Sequence, residues 1–465
     1  MPLDPTALRR IAAIRAEIDH PIIDADGHML ESVPMLLEHV DAEAGPKAVE
    51  RLVAAIPGLF NGRGSVEEGI SRGPWWPSVT DAEYQAAVMI PSLLAEQLEE
   101  LGIDFTILYP SLGLALCTIP EADVRIPAVR ALNTMLAGLC KSSSYRLTPV
   151  AVVPMHTPEE AVAELRRVRR ELGLRAVMIP PAVARPLAAY PDLFPRLCHA
   201  DRYGIDSAAD YDPVWAAFQE LGVAVTTHGA VGARYLPDGR GSPTNYSYNH
   251  ALGHGFLQSE VCRALVYGGV PMRFPRLQFG FLEGGASWAM QLLASLCEHW
   301  EKRGPDGLAH YDPARLDQQR LAEILTRHGF PVAPPEMIGS AQPWARDEFE
   351  DSGITGPADI ARIFAEQFAF GCESDDLSVH RALDGPGNKR GVALRPVFSS
   401  DIGHWDVPEL TDPVPSSWKL VTSGRLSREG YRRFTFELPA RLHLAMNPAF
   451  FAGTSVEAAT RSLVG

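Results

Sequence analysis

From residue 91 onward the chain repeats one rhythm: a short apolar run, a longer stretch with helical periodicity, then another apolar run. The runs are Ile103–Tyr109, Leu147–Val153, Leu174–Ile179, Val223–Thr227, Leu277–Leu282 and Val392–Ser399, with a helix passing into a strand over Ile360–Cys372. Runs this short and this continuously apolar, bounded by Gly and Pro, describe strands buried on both faces, which is the habit of parallel sheets. Between them, 92–101, 122–141, 157–172, 212–221, 257–267 and 286–302 read as helices. Thr157-Pro158-Glu159-Glu160 carries an N-cap with proline in the first turn, and Gly102 and Gly222 follow the last residues of two others. With the opening strand after Pro21, the strand–helix unit recurs about eight times, and right-handed parallel crossovers follow from it. A closed (β/α)8 barrel needs about 250 residues and tolerates large insertions. The rival, an open doubly wound sheet, lacks its GxGxxG turn: the glycines of 229–241 are wrongly spaced. The expected architecture is one α/β domain over 1–465, a TIM barrel with an N-terminal helix (3–19) and two loop insertions. The first insertion, 41–85, reads as irregular, and the second, 303–357, as helical only around 317–327.

A net charge of −15 argues against a nucleic-acid or anionic-membrane surface, leaving a small-molecule substrate as the expected partner. Six dispersed cysteines without a CxxC pair read as reduced, buried thiols. Without a basic-then-apolar leader or an apolar run of membrane-spanning length, a cytoplasmic protein is expected. Neither a P-loop nor a GxSxG elbow occurs.

The chemistry-bearing residues gather where strands end. The first strand delivers Asp26 and His28, two apart and so on one face. His228 closes a mid-chain strand, Glu283 ends the next, and Asp401 follows the last. Two imidazoles and two carboxylates facing one another across a barrel mouth suit one divalent metal, zinc or manganese, with a position open for water or substrate. Asp24 is assigned a structural part, Glu31 is placed to orient His28 or meet an arginine, and His404 to tune proton transfer at Asp401. Arg234, Tyr246 and His254 lie after the His228 strand, where barrels meet substrate. His250 and His254 stand one helical turn apart, but without an HExxH glutamate they read as pocket-lining. Trp75 and Trp76 sit in the first insertion, placed to cover an aromatic substrate.

In order, Asp24-x-Asp26-x-His28-x-x-Glu31, His228, Phe281-Leu282-Glu283-Gly284-Gly285-x-x-Trp288 and Ser400-Asp401-x-x-His404-x-Asp406 resemble the amidohydrolase-related family. This is the branch of the amidohydrolase superfamily that contains aminocarboxymuconate-semialdehyde decarboxylase. Pro149–Pro154 through Met178 and the ending Asn447–Phe451 carry the same resemblance, which runs from about residue 20 to 455 outside the two insertions. It implies a (β/α)8 barrel with a single metal on Asp26, His28, His228 and Asp401. Two departures stand out. Members commonly carry His-x-His on the first strand, and the carboxylate-x-His version here is that of aromatic-acid decarboxylases. At Glu283 such decarboxylases often present a histidine.

Two reactions are then open. In decarboxylation the metal anchors an aromatic or unsaturated carboxylic acid and an acid, expected to be Asp401, protonates the carbon that loses CO2. In hydrolysis, the alternative, Asp401 acts as base toward a metal-activated water on a C–N, C–O or C–C bond. Asp401, His404 and Glu283 are the expected catalytic groups, and a homo-oligomer, dimer or tetramer, is the expected assembly.

Overall fold

The computed structural model describes residues 3–60, 65–67, 79–194, 197–228, 241–312, 315–332, 347–385 and 390–464. Eight parallel strands follow one another around a sheet: β1 (Ile23–Met29), β2 (Phe105–Pro110), β3 (Leu147–Val152), β4 (Ala176–Ile179), β5 (Val225–Thr227), β6 (Phe279–Phe281), β7 (Phe368–Glu373) and β8 (Pro396–Ser399). Its two edges then meet. The His28 N–H donates to the Ile402 carbonyl at 2.7 Å and the Asp401 N–H to the Asp26 carbonyl at 3.0 Å. The sheet is thereby rolled into a (β/α)8 barrel, with side chains filling its interior.

The apolar runs become strands because both of their faces find cover. Every residue of β1 to β6 is buried, and β8 likewise. Between β6, β7 and the helix Ser287–Arg303, Phe281 meets Phe368 edge-on at 5.1 Å and Trp288 meets Phe370 at 5.4 Å. Helix ends follow the local chemistry read from the sequence. Thr157 Oγ1 accepts the Glu160 N–H at 3.1 Å, Asp317 accepts the Arg320 N–H at 2.8 Å, and Gly222 takes the left-handed φ of 65° that closes Asp212–Leu221. All six cysteines are free and buried. Among the described residues, no helix is long and apolar enough to cross a membrane.

Three stretches differ from expectation. The described part of 41–85 is largely helical, not irregular: Pro46–Phe60 and Ala82–Met89 are helices. Pro46 at the first helical position and a run of Ala, Leu, Glu and Arg favour that state, and Leu52 is fully buried on its inner side. A two-stranded antiparallel ribbon, Val183–Pro186 with Cys198–Asp201, follows β4 and is clasped by an Arg185–Asp201 ion pair at 3.0 Å. Near the C-terminus Pro413–Thr422 is a further helix, its prolines confined to the first turn where no N–H is needed.

Candidate metal centre

Strand β1 is irregular where it matters. Its register against β2 shifts between Asp24 and Gly27, inserting an extra residue at the point where Asp26 and His28 turn inward. Asp24 accepts four hydrogen bonds: from Thr106 Oγ1 (2.6 Å), Ser400 Oγ (2.7 Å), Ser400 N–H (2.8 Å) and Asp26 N–H (3.1 Å). It is a pin joining β1, β2 and β8. Gly27 is needed beside it, because a Cβ there would lie 2.6 Å from Asp24 Oδ2 and 2.7 Å from Thr106 Oγ1.

Above the pin the donors converge. His28 Nε2 lies 2.9 Å from His228 Nε2, 3.3 Å from Asp26 Oδ1 and 3.6 Å from Asp401 Oδ1, and His228 Nε2 is 3.2 Å from Asp26 Oδ1. Two ligands on one ion, each at about 2.1 Å, sit about 3.0–3.4 Å apart for angles between octahedral and tetrahedral. Asp26, His28 and His228 stand close to such spacings, and Asp401 forms a second buried group with His28 and His404. All four side chains are almost completely buried. Asp26 Oδ2 and Asp401 Oδ2 have no hydrogen-bonding partner among the described residues. Buried carboxylate oxygens are costly when left unmatched, and a divalent cation would satisfy them. The residues fit a zinc or manganese ion.

Burial pushes His28 down to about 3, with the charges of His404 and His228 adding to it, so its imidazole is neutral and free to ligate. Burial works to raise the Asp26 carboxyl, but His228 and His28 hold it below the usual range. Burial also opposes charge on His404, yet Asp401 at 2.7 Å and Glu283 at 3.5 Å from its Nδ1 carry it well above an ordinary histidine. Its ring stacks on His28 with centroids 3.8 Å apart, and its Nε2 lies 3.4 Å from Ser111 Oγ.

Glu283 and Asp401 share a backbone feature. Both stand just past strand ends with left-handed φ values of 58° and 53°, which few residues other than glycine adopt without strain. That turn aims Asp401 at His28 and His404. It aims Glu283 at His254, whose Nδ1 lies 2.6 Å from Oε2, and the same oxygen is 3.4 Å from His228 Nδ1. The carboxylate of Glu283 is held well below its usual range: burial works against it, and His254 and His228 prevail.

Of the remaining sequence-nominated residues, Glu31 pairs with neither His28 nor an arginine among the described residues. Its carboxylate accepts the N–H groups of Leu112 (2.9 Å) and Gly113 (3.1 Å), because β1 ends beside the turn after β2 and those two amides face it. Tyr246 is buried, stacked on His250 at 5.4 Å and edge-on to Trp405 at 5.5 Å, which ties the segment after β5 to the loop after β8. His254 belongs to the helix Gly253–Tyr267 and pairs with Glu283, and its ring meets that of His250 edge-on at 4.9 Å. Trp75, Trp76 and Arg234 lie outside the described residues. The sequence reading passed over Glu373, at the end of β7, whose carboxyl burial and the charges of Asp406 and Glu283 lift well above its usual range. The strand-end rule that found Glu283 would have found it. Tyr109 was passed over too; its ring lies 5.4 Å from that of His228 and its hydroxyl donates to Thr226 Oγ1 at 3.0 Å.

Residues 114–330 match the amidohydrolase family, in keeping with the resemblance seen in the sequence motifs. A 2-amino-3-carboxymuconate-6-semialdehyde decarboxylase of Dictyostelium discoideum is 27% identical over 187 residues, 39% of this chain and 44% of the relative. The match thus spans less than half the length of that curated relative. Among solved structures, an amidohydrolase of Mycobacterium avium subsp. paratuberculosis superposes with a TM-score of 0.54 at 17% identity, covering 91% of this chain and 98% of its own. A 5-carboxyvanillate decarboxylase of Novosphingobium aromaticivorans, with bound manganese, gives 0.52 at 12% identity over 91% and 97%. A dihydroxybenzoic acid decarboxylase of Polaromonas, also with bound manganese, gives 0.50 at 16% over 91% and 97%. At these identities the likeness is one of fold.

Proposed function

From a chain whose residues 114–330 carry the amidohydrolase family's pattern, we propose a divalent-metal-dependent, non-oxidative decarboxylase of a small aromatic or unsaturated carboxylic acid. The observation that carries the reading is the convergence of Asp26, His28 and His228 at 2.9 to 3.3 Å from one another, with Asp401 3.6 Å from His28, all of them buried at the barrel mouth. The manganese-bound decarboxylases that share this fold support the choice of reaction. Zinc or manganese would be held by those four side chains. When bound, it supplies the positive charge that anchors the substrate carboxylate and an adjacent oxygen. Asp24 and the β1 irregularity fix where Asp26 and His28 point, which sets the orientation of the acid. His404 and Glu283 flank that site, with His404 Nδ1 3.5 Å from Glu283 Oε1.

A hydrolytic reading draws on one observation, the 2.7 Å contact between His404 Nδ1 and Asp401 Oδ1. A carboxylate–imidazole pair of that kind can take a proton from an attacking water. Metal-loaded protein incubated with a panel of hydroxy- and amino-substituted aromatic acids, and in parallel with amides and esters, separates the two. CO2 release is expected. Water-dependent cleavage without CO2 would replace the first reading with the second.

A further inference from the structure

The decarboxylase reading leaves the source of the proton open, and the histidines around the site differ in which nitrogen is free to supply it. His28 and His228 turn Nε2 toward each other and toward Asp26, so those nitrogens belong to the metal position. His404 has both nitrogens engaged, Nδ1 with Asp401 and Nε2 beside Ser111 Oγ. Asp401, the acid expected from the sequence, has Oδ1 within 2.7 Å of His404 and 3.6 Å of His28, and serves as a ligand. His254 is arranged differently. Its Nδ1 lies 2.6 Å from Glu283 Oε2, an ion-pair distance outside hydrogen-bond geometry, while its Nε2 is buried with neither an ion-pair nor a hydrogen-bonding partner among the described residues.

The chain holds this pair at a cost. Glu283 sits at φ 58°, and Leu252, which precedes the helix carrying His254, sits at φ 62° with its side chain almost wholly exposed. A non-glycine residue in that region costs on the order of 1–3 kcal/mol and persists where its surroundings enforce it. Here the two strained residues set the carboxylate and the imidazole against each other, one carboxylate away from His228.

We propose that His254, oriented through Nδ1 by Glu283, is the group that passes a proton to the substrate, and that Glu283 is its positioning residue. The inference rests on the decarboxylase reading. The ring π electrons of the substrate take the Nε2 proton of protonated His254 to form a C–H bond. The bond to the carboxylate then breaks, its electron pair returns to the ring, and CO2 leaves. His254 ends neutral, its Nδ1–H still donated to Glu283. The imidazole thus comes from the helix after β5, with the β6 carboxylate serving as its anchor.

The test uses metal-loaded full-length protein and the variants His254→Asn, His254→Ala and Glu283→Gln. His254→Asn should lower kcat by about a hundredfold or more with KM and metal content near wild type. Glu283→Gln should lower kcat in the same direction, and the double variant should be no worse than His254→Asn. Added imidazole should restore part of the kcat of His254→Ala, which a purely structural loss would not allow. A kcat of His254→Asn within threefold of wild type, or loss of metal from it, would overturn the inference. A separate readout is the 15N–1H spectrum of the wild type, where a protonated, hydrogen-bonded His254 Nδ1 is expected and is lost in Glu283→Gln. If wild type releases no CO2 from any acid, the decarboxylase reading falls and this proton transfer with it. If CO2 is released but that Nδ1–H resonance is absent, the inference alone falls.

Discussion

The two halves of β1 hold carboxylates two residues apart, equally buried, and treated in opposite ways. In the lower half Asp24 is saturated: two hydroxyls and two amides from three strands point at it. In the upper half Asp26 has no conventional donor, and Oδ2 faces nothing that could satisfy it among the described residues. A buried charge that the fold satisfies is structure; one left beside two imidazoles without a hydrogen-bonding donor is the kind we propose as a metal ligand. Burial alone does not separate the two, and neither does residue type. The inventory of donors does.

That contrast can be broken at several points, the largest effect first. His228→Ala should abolish turnover and strip the metal, and Asp401→Asn should abolish turnover, as read by assay and by metal analysis. In the lower half the larger effect is on stability. Asp24→Ala leaves two hydroxyls and two amides without their acceptor and should cost about 3 kcal/mol or more in urea unfolding. Its folded fraction should bind metal about 10- to 100-fold more weakly than wild type, because Asp24 fixes where Asp26 and His28 point.

Glu31, just past β1, sharpens the same point through pH. Burial raises its carboxyl from 4.5 to about 7. Its contribution to stability is fully present below pH ~4.5 and is lost as pH rises through about 7, so Glu31→Gln should gain on wild type across that window by about 3 kcal/mol. Smallest of all, Thr157→Ala should cost about 1 kcal/mol by uncapping its helix, with metal binding unchanged.

The barrel was legible because its strands are short, apolar and regularly spaced, and because the residues that end them are chemically distinctive. Asp26, His28, His228 and Asp401 could be picked out by position alone. Less visible were features that depend on distant partners. The part Glu31 plays is set by amides of residues 112 and 113, some eighty positions away. The Glu283–His254 pairing depends on two left-handed backbone conformations that residue identity does not announce. Helix Pro46–Phe60 was hidden by the Gly- and Trp-rich stretch after it, and Pro413–Thr422 by prolines that stop a helix anywhere but at its start.

The central claim is that Asp26, His28, His228 and Asp401 hold one divalent ion. Titrating metal-free wild type and His228→Ala with manganese or zinc, while counting bound ions per chain, tests it most directly. One ion per wild-type chain is predicted, with binding to His228→Ala weaker by more than about a hundredfold. A wild-type chain that takes up no stoichiometric ion, or a variant that binds as tightly as wild type, would contradict it.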